Sequence, residues 1–285
     1  MQNFNNCCFL IPFKNSNDVD RLFNLTSVLS YLNSVITTNV VIVEQHENIK
    51  NNICYDTIKQ KNYCNLNIIW ENHISSVSCF QKTKLYNMGV KYASPDVSII
   101  IPYDADVLIP LEQMIIAKDY LENKKIDYCF PFSGNYIEVA KVIPDARQSF
   151  LKTYNFNEYK KHAREYTDIL YSQKIKNGPP GLFRNCPPGG CIFIKKQVYI
   201  EMGLENEDFC GYGPEDVERK NRLIKLNYNT ASVSGDLYHI EHTVTHRRFS
   251  STANKNLFDM LQNMNKDQIQ KYYKEKNYKL FYGIE

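Results

Sequence analysis

A nearly unbroken apolar run that ends in two closely spaced carboxylates constrains this chain more than any other feature. Residues 97–110 read Val-Ser-Ile-Ile-Ile-Pro-Tyr-Asp-Ala-Asp-Val-Leu-Ile-Pro, so that Val97, Ile99, Ile100 and Ile101 lead to Asp104 and Asp106. A continuous apolar run of this length fits a strand buried on both faces, in a sheet covered by helices. Acids at the end of such a strand lie in the crevice where open α/β sheets bind ligands. Left alone they repel, and one has its pKa raised. A divalent cation removes the repulsion, and carboxylate oxygens suit Mg²⁺ or Mn²⁺. The stretch therefore reads as a metal site bridging the acids to a diphosphate, or more plainly as a polar turn after a buried strand.

The flanking sequence supplies the rest of a sheet. Cys8–Lys14 is a short strand stopped by Pro12. Asn15, Ser16, Asn17 and Asp18 offer helix caps, and apolar residues follow at 19, 22, 25, 29 and 32, one face of a helix. Asn39–Glu44 and Leu66–Trp70 read as further buried strands, which makes a βαβ unit with a parallel sheet. Phe80, Leu85, Met88 and Tyr92 share roughly one helical face in the segment that leads to the acidic strand end. Residues 1–110 thus read as a nucleotide-binding half-sheet. Beyond it, Leu111–Leu121 predicts a helix, Tyr128–Phe132 a strand, and 145–176 loosely periodic helix. The Pro/Gly-dense stretch 177–188 reads as a mobile lid, because a core strand, Cys191–Ile194, resumes directly after it. One domain of 285 residues, with a second half over 111–250 and a helical tail over 251–285, is the economical reading.

Composition narrows the partners. A formal net charge of +3 gives no reason to expect a polyanion such as nucleic acid. Nine cysteines without a Cys-x-x-Cys pair fit neither a disulfide framework nor a structural zinc site, so reduced thiols in a cytoplasmic protein are expected. No apolar run is long enough to span a membrane, and no basic-then-apolar leader opens the chain.

Three later motifs carry chemistry. In Gly211-Tyr-Gly-Pro-Glu-Asp216, Gly211 and Gly213 permit a tight backbone path and Pro214 suits the first turn of a helix. Glu215 and Asp216 then either complement the helix dipole or accept a proton from a substrate hydroxyl. In the segment 238–246, His239 and His242 can share a metal, with His246 a third possibility. Gly189 and Gly190, before a strand, let backbone approach a nucleotide closely.

Five pieces occur in order: Ile11–Asn15, Phe80–Gly89, Asp104–Pro110, Gly189-Gly190 and Gly211–Asp216. This order resembles the β1,4-galactosyltransferase family and its bacterial relatives, including the galactosyltransferase-like domains of chondroitin-type polymerases, over roughly Phe9 to Arg248. The resemblance implies a GT-A fold: α/β, with a Rossmann-like nucleotide-binding half and a mixed central sheet flanked by helices. It implies an inverting, metal-dependent transfer of galactose, N-acetylgalactosamine or a similar sugar from a UDP-sugar to a saccharide or lipid-linked glycan. Pro12, Phe13, Lys14, Phe80 and Lys82 match the uridine pocket, with Asp104 near the nucleotide. Asp106, His239 and His242 match the ligands of Mn²⁺ (or Mg²⁺), and His239 stands where vertebrate enzymes carry a methionine. Asp216 matches the catalytic base, Glu215 a substrate-positioning acid, and Tyr212 a tryptophan between donor and acceptor. Ser16 replaces a basic residue of the pocket, and Pro187 and Pro188 replace aromatics that help select the donor. The expected setting is bacterial surface polysaccharide synthesis, with peripheral contact to a membrane-bound acceptor at the inner face of the membrane. A metal-dependent nucleotidyltransferase or phosphatase would use similar acids and histidines but leaves the Gly211–Asp216 block unexplained. A sugar-nucleotide-binding module without turnover is the non-enzymatic alternative.

Overall fold

The computed structural model describes residues 1–14, 19–47, 53–172, 183–185, 188–211, 213–242 and 252–284. In chain order the elements are β1 (Gln2–Lys14), α1 (Val19–Val35), β2 (Ile36–His46), α2 (Ile53–Gln60), β3 (Leu66–Ile74), α3 (Lys82–Tyr92), β4 (Ile99–Pro102) and β5 (Val107–Leu108). Then come α4 (Leu111–Asn123), β6 (Tyr128–Phe130), β7 (Asn135–Val139), α5 (Pro144–Thr153), α6 (Phe156–Ser172), β8 (Phe183–Asn185) and β9 (Phe193–Lys195). The chain continues through α7 (Lys196–Glu201), α8 (Glu215–Lys225), β10 (Thr230–Ser232), β11 (Leu237–Ile240), α9 (Thr252–Asn263), α10 (Lys266–Lys276) and α11 (Tyr278–Phe281).

A mixed seven-stranded sheet, ordered β10-β6-β9-β4-β1-β2-β3, forms the centre. Strands β4, β1, β2 and β3 run parallel, as the βαβ reading requires, whereas β9 lies antiparallel between β4 and β6. Ile99, Ile100 and Ile101 are buried, as are Phe9, Leu10 and Ile11 of β1 and Val40–Val43 of β2. Helix α1 buries Leu25, Leu29 and Leu32, but Val19 is exposed, so the predicted apolar stripe fails only at its first position. A second sheet, ordered β5-β11-β7-β8, stands apart from the first.

The structure corrects several sequence expectations. Strand β1 starts six residues before Cys8, because its polar beginning pairs with β2 from Gln2↔Ile36 onward. The helical stretch from 145 is two helices, broken where Tyr154 adopts a left-handed conformation (φ 51°). Within the Pro/Gly-rich segment 177–188, residues 183–185 are a strand paired antiparallel to β7; the lid reading otherwise falls outside the described residues except at Pro188. The proposed caps at 15–18, His246 and Tyr212 also lie outside them. The expectation that every thiol is reduced fails, since Cys79 and Cys210 are disulfide-bonded across 131 residues. No local spacing could reveal that pair. Cys7, Cys8, Cys54, Cys64, Cys129 and Cys191 form no disulfide. Among the described residues, no helix is long and apolar enough to cross a membrane.

Candidate active site

The chemistry gathers where β1 and β4 end. Leu10 is aligned with Pro102, so Pro12, Phe13 and Lys14 run past the end of β4 alongside the Asp104 turn. Pro12 and Phe13 are buried, and Lys14 donates from Nζ to the carbonyl of Ser78. That carbonyl belongs to the loop entering α3, which the buried side chain of Gln45 clamps. Its amide donates to the carbonyls of Val77 (3.0 Å) and Cys79 (2.9 Å) and accepts from the N–H of Gln81 (2.8 Å). Lys82, the first residue of α3, is thereby held over the acids.

Lys82 is the centre of a cluster. Its ammonium lies 3.0 Å from Asp104, 3.5 Å from Glu215 and 3.3 Å from Asp216. The Tyr86 hydroxyl, one helical turn on, donates to Asp104 (3.0 Å). On its other side Asp216 accepts from the Arg219 guanidinium (2.9 Å). Arg219 also pairs with buried Glu205 (2.6 Å), which in turn accepts from Tyr199 (2.8 Å).

Glu215 and Asp216 open α8, and the segment before it is stitched to α3. Gly211 donates its N–H to the carbonyl of Phe80 (2.9 Å), Thr83 donates to the carbonyl of Phe209 (3.2 Å), and the Cys79–Cys210 bond closes the seam. Gly189 earns its place by contact rather than by torsion: a Cβ there would fall 2.6 Å from Oδ2 of Asp216. Gly190 is left-handed (φ +93°), its carbonyl accepts from the N–H of Asp104 (2.9 Å), and a Cβ would press on Leu237 and Val107.

The environments drive neighbouring carboxyls apart. Burial pushes Asp216 upward, but Lys82 and Arg219 outweigh it and hold the group below its ordinary range. Burial and the charge of Asp216 push Glu215 up to about 7, against the pull of Lys82. Asp104 is raised, chiefly by burial, with Lys82 opposing. Two adjacent acids at a helix start are thus an ionised acceptor and a group that keeps its proton near neutrality, the separation by which one site obtains a base and a donor.

Two residues beyond Asp104, a different set forms. Asp106, His239 and His242 each offer one ligand atom, all within 4.8 Å of one another. Nε2 of His242 lies 3.1 Å from the Asp106 carboxylate and Nε2 of His239 lies 3.6 Å from it. The second sheet makes this meeting: β11 pairs with β5 (His239↔Val107), and the N–H of Ile240 donates to the carbonyl of Asp106 (2.7 Å). Alternation along β11 buries Tyr238 among Phe150, Phe156 and Tyr159 while His239 takes the opposite face. Without a metal, burial depresses His239 but Asp106 and Glu138 raise it to about 10, and Asp106 is held well below its usual range by His239 and His242 despite burial. One carboxylate and two imidazoles fit a divalent ion with coordination positions left open.

All the candidate residues that the structure describes therefore border the C-terminal ends of the central strands. A cavity of about 400 Å³, lined by Asn5, Thr38, Asn65 and Asn67 among others, sits at the opposite ends and contains none of them. Sequence reasoning missed Tyr86, Glu138, Glu205 and Arg219. Tyr86 and Arg219 had a usable signal, being i+4 from Lys82 and i+3 from Asp216 on helices. Glu138 and Glu205 had none.

No family model matches the sequence, and no curated protein does. Solved structures do match. The catalytic domain of Drosophila β1,4-galactosyltransferase 7, in complex with xylobiose, is 12% identical with a TM-score of 0.50, covering 94% of this chain and 84% of that one. S. aureus TarS 1–349, in complex with UDP-GlcNAc, is 12% identical with a TM-score of 0.53, covering 99% and 73%. GalNAc-T7 with UDP, GalNAc and Mn²⁺ is 10% identical with a TM-score of 0.53, covering 97% and 55%. Likeness at such low identity is one of architecture, and the mixed sheet flanked by helices is the GT-A glycosyltransferase fold.

Proposed function

We propose that this chain is an inverting, divalent-metal-dependent glycosyltransferase that moves a hexose or N-acetylhexosamine from a UDP-sugar to a hydroxyl of a saccharide acceptor. One observation carries the reading. A metal-ligand triad and an acid–cation cluster adjoin on a single turn, Asp106 belonging to the first and Asp104 to the second. The fold likeness supports it, since TarS was solved with UDP-GlcNAc and GalNAc-T7 with UDP, GalNAc and Mn²⁺.

Asp106, His239 and His242 would hold Mn²⁺ (or Mg²⁺), which when bound supplies Lewis acidity toward the diphosphate leaving group. Pro12, Phe13, Lys14, Phe80 and Asp104 are assigned to the nucleotide, with Gly189 and Gly190 offering close backbone. Asp216, ionised and anchored by Arg219, accepts the proton of the acceptor hydroxyl as that oxygen attacks the anomeric carbon. The bond from that carbon to UDP breaks on the opposite side, so the configuration inverts without a covalent intermediate. The ammonium of Lys82 stands where it can exchange its carboxylates for phosphate oxygens and offset their growing charge. Glu215, which still carries its proton in a large fraction of molecules around pH 7, positions the substrate by donating a hydrogen bond to a sugar hydroxyl. The role of Tyr212 rests on the sequence resemblance alone.

The proposed setting is synthesis of a surface polysaccharide at the inner face of a membrane, on a lipid-linked acceptor. The Cys79–Cys210 bond points instead to an oxidising compartment, and thiol labelling of the native protein distinguishes the two. The donor is found by melting the protein with Mn²⁺ and a panel of UDP-hexoses and UDP-N-acetylhexosamines. Selective stabilisation by one donor is expected. Unchanged melting with every donor and with UDP would remove the reading.

A further inference from the structure

The triad is backed by a second carboxylate that no motif announces. Strand β7 runs parallel to β11 with Glu138 in register with His239. The Glu138 carboxylate lies 2.8 Å from Nδ1 of His239, and the Glu138 side chain is almost entirely buried. Two residues earlier on the same strand, the ring of Tyr136 stacks on the His239 imidazole, with centroids 5.2 Å apart and planes at 29°. The other ring nitrogen, Nε2, is the one that faces Asp106. The imidazole is therefore fixed in both respects that matter to a ligand: an acceptor at Nδ1 places the proton there, and the stacked ring sets the plane.

We propose that Glu138 is a positioning residue that commits His239 to bind a divalent cation through Nε2. The inference rests on the metal-dependent reading above and deepens it. A buried carboxylate at this distance holds the proton at Nδ1, so that the ion binds at Nε2 by displacing the Nε2 proton, and it makes the imidazole a better electron donor. Glu138 does not touch the ion in this account, and its effect passes entirely through His239. The observation is separate from the triad itself, because nothing in a three-ligand cluster requires a carboxylate at the far nitrogen.

The test is Mn²⁺ affinity of the whole chain in the presence of UDP, read from the electron paramagnetic resonance signal of free Mn²⁺. Glu138→Ala should weaken Mn²⁺ binding by about 10–100-fold, the range usual for losing such a partner. Glu138→Gln, which keeps an uncharged acceptor, should fall between it and the unaltered protein. Melting in EDTA checks the fold, and if Glu138→Ala does not fold, Glu138→Gln carries the test alone. The decisive arm is His239→Ala: combined with it, the Glu138 substitution should add no further loss, because the route through the imidazole is gone. Additive losses, or unchanged affinity in a folded Glu138 variant, would overturn the inference while leaving the triad standing. If the unaltered protein binds UDP but no Mn²⁺, the metal reading fails and this inference with it.

Discussion

Asp216 and Glu215 share a helix turn, yet their surroundings give them opposite protonation. Lys82 and Arg219 keep Asp216 ionised, so Asp216→Asn removes the proposed proton acceptor while preserving its shape. Turnover should fall about 10²–10⁴-fold, with calorimetric affinity for UDP-sugar and Mn²⁺ little changed. A lost donor affinity with near-normal turnover at saturation would make it a binding residue instead. Glu215 is the reverse case: its carboxyl is raised in the folded protein from 4.5 to about 7. The stability tied to that proton is complete below the ordinary value and is lost as pH rises through about 7, because the folded state then holds an ionised group that burial disfavours. Glu215→Gln should flatten the fall in melting temperature across that interval. Parallel pH profiles for the two proteins would show that Glu215 ionises normally.

At the scale of elements, the site depends on turns and register more than on helices. Gly189 is the sharpest case, since its missing Cβ leaves room for the Asp216 carboxylate, 2.6 Å from where that atom would stand. Gly189→Ala should therefore cut turnover at least tenfold through a displaced base, a loss of about 1.4 kcal/mol in transition-state stabilisation. Steady-state kinetics at saturating donor, with melting as a control, check it, and normal turnover would show that the base is not where its geometry places it. The same scale explains what the sequence could reveal. Asp104, Asp106, Glu215, Asp216, His239 and His242 were legible because each lies in a short motif. Glu138 was not, because its meeting with His239 is set by pairing of strands 101 residues apart. Glu205 reaches Arg219 through a buried ion pair across 14 residues, and Glu205 itself sits in no recognisable pattern. The Cys79–Cys210 bond and strand β8 are long-range facts of the same kind.

Over the whole molecule, the parallel β4-β1-β2-β3 half was readable because buried parallel strands are written as continuous apolar runs. In the mixed half the strands at 128–132 and 191–194 were readable as apolar runs and the mixed sheet was implied by the family resemblance, but the antiparallel insertion of β9 between β4 and β6 rests on pairings that no periodicity encodes. Yet the two halves converge on one edge, where the acidic turn carries one aspartate for each cluster. The central claim is that these clusters form one metal-dependent site for transfer from UDP-sugars. Its most direct test is release of UDP from the donor identified by melting, in the presence of a saccharide acceptor, with Mn²⁺ and then with EDTA. The account predicts UDP release with Mn²⁺, its loss in EDTA, and restoration when Mn²⁺ is returned in excess. Equal release in EDTA, or release of pyrophosphate or inorganic phosphate in place of UDP, would contradict it.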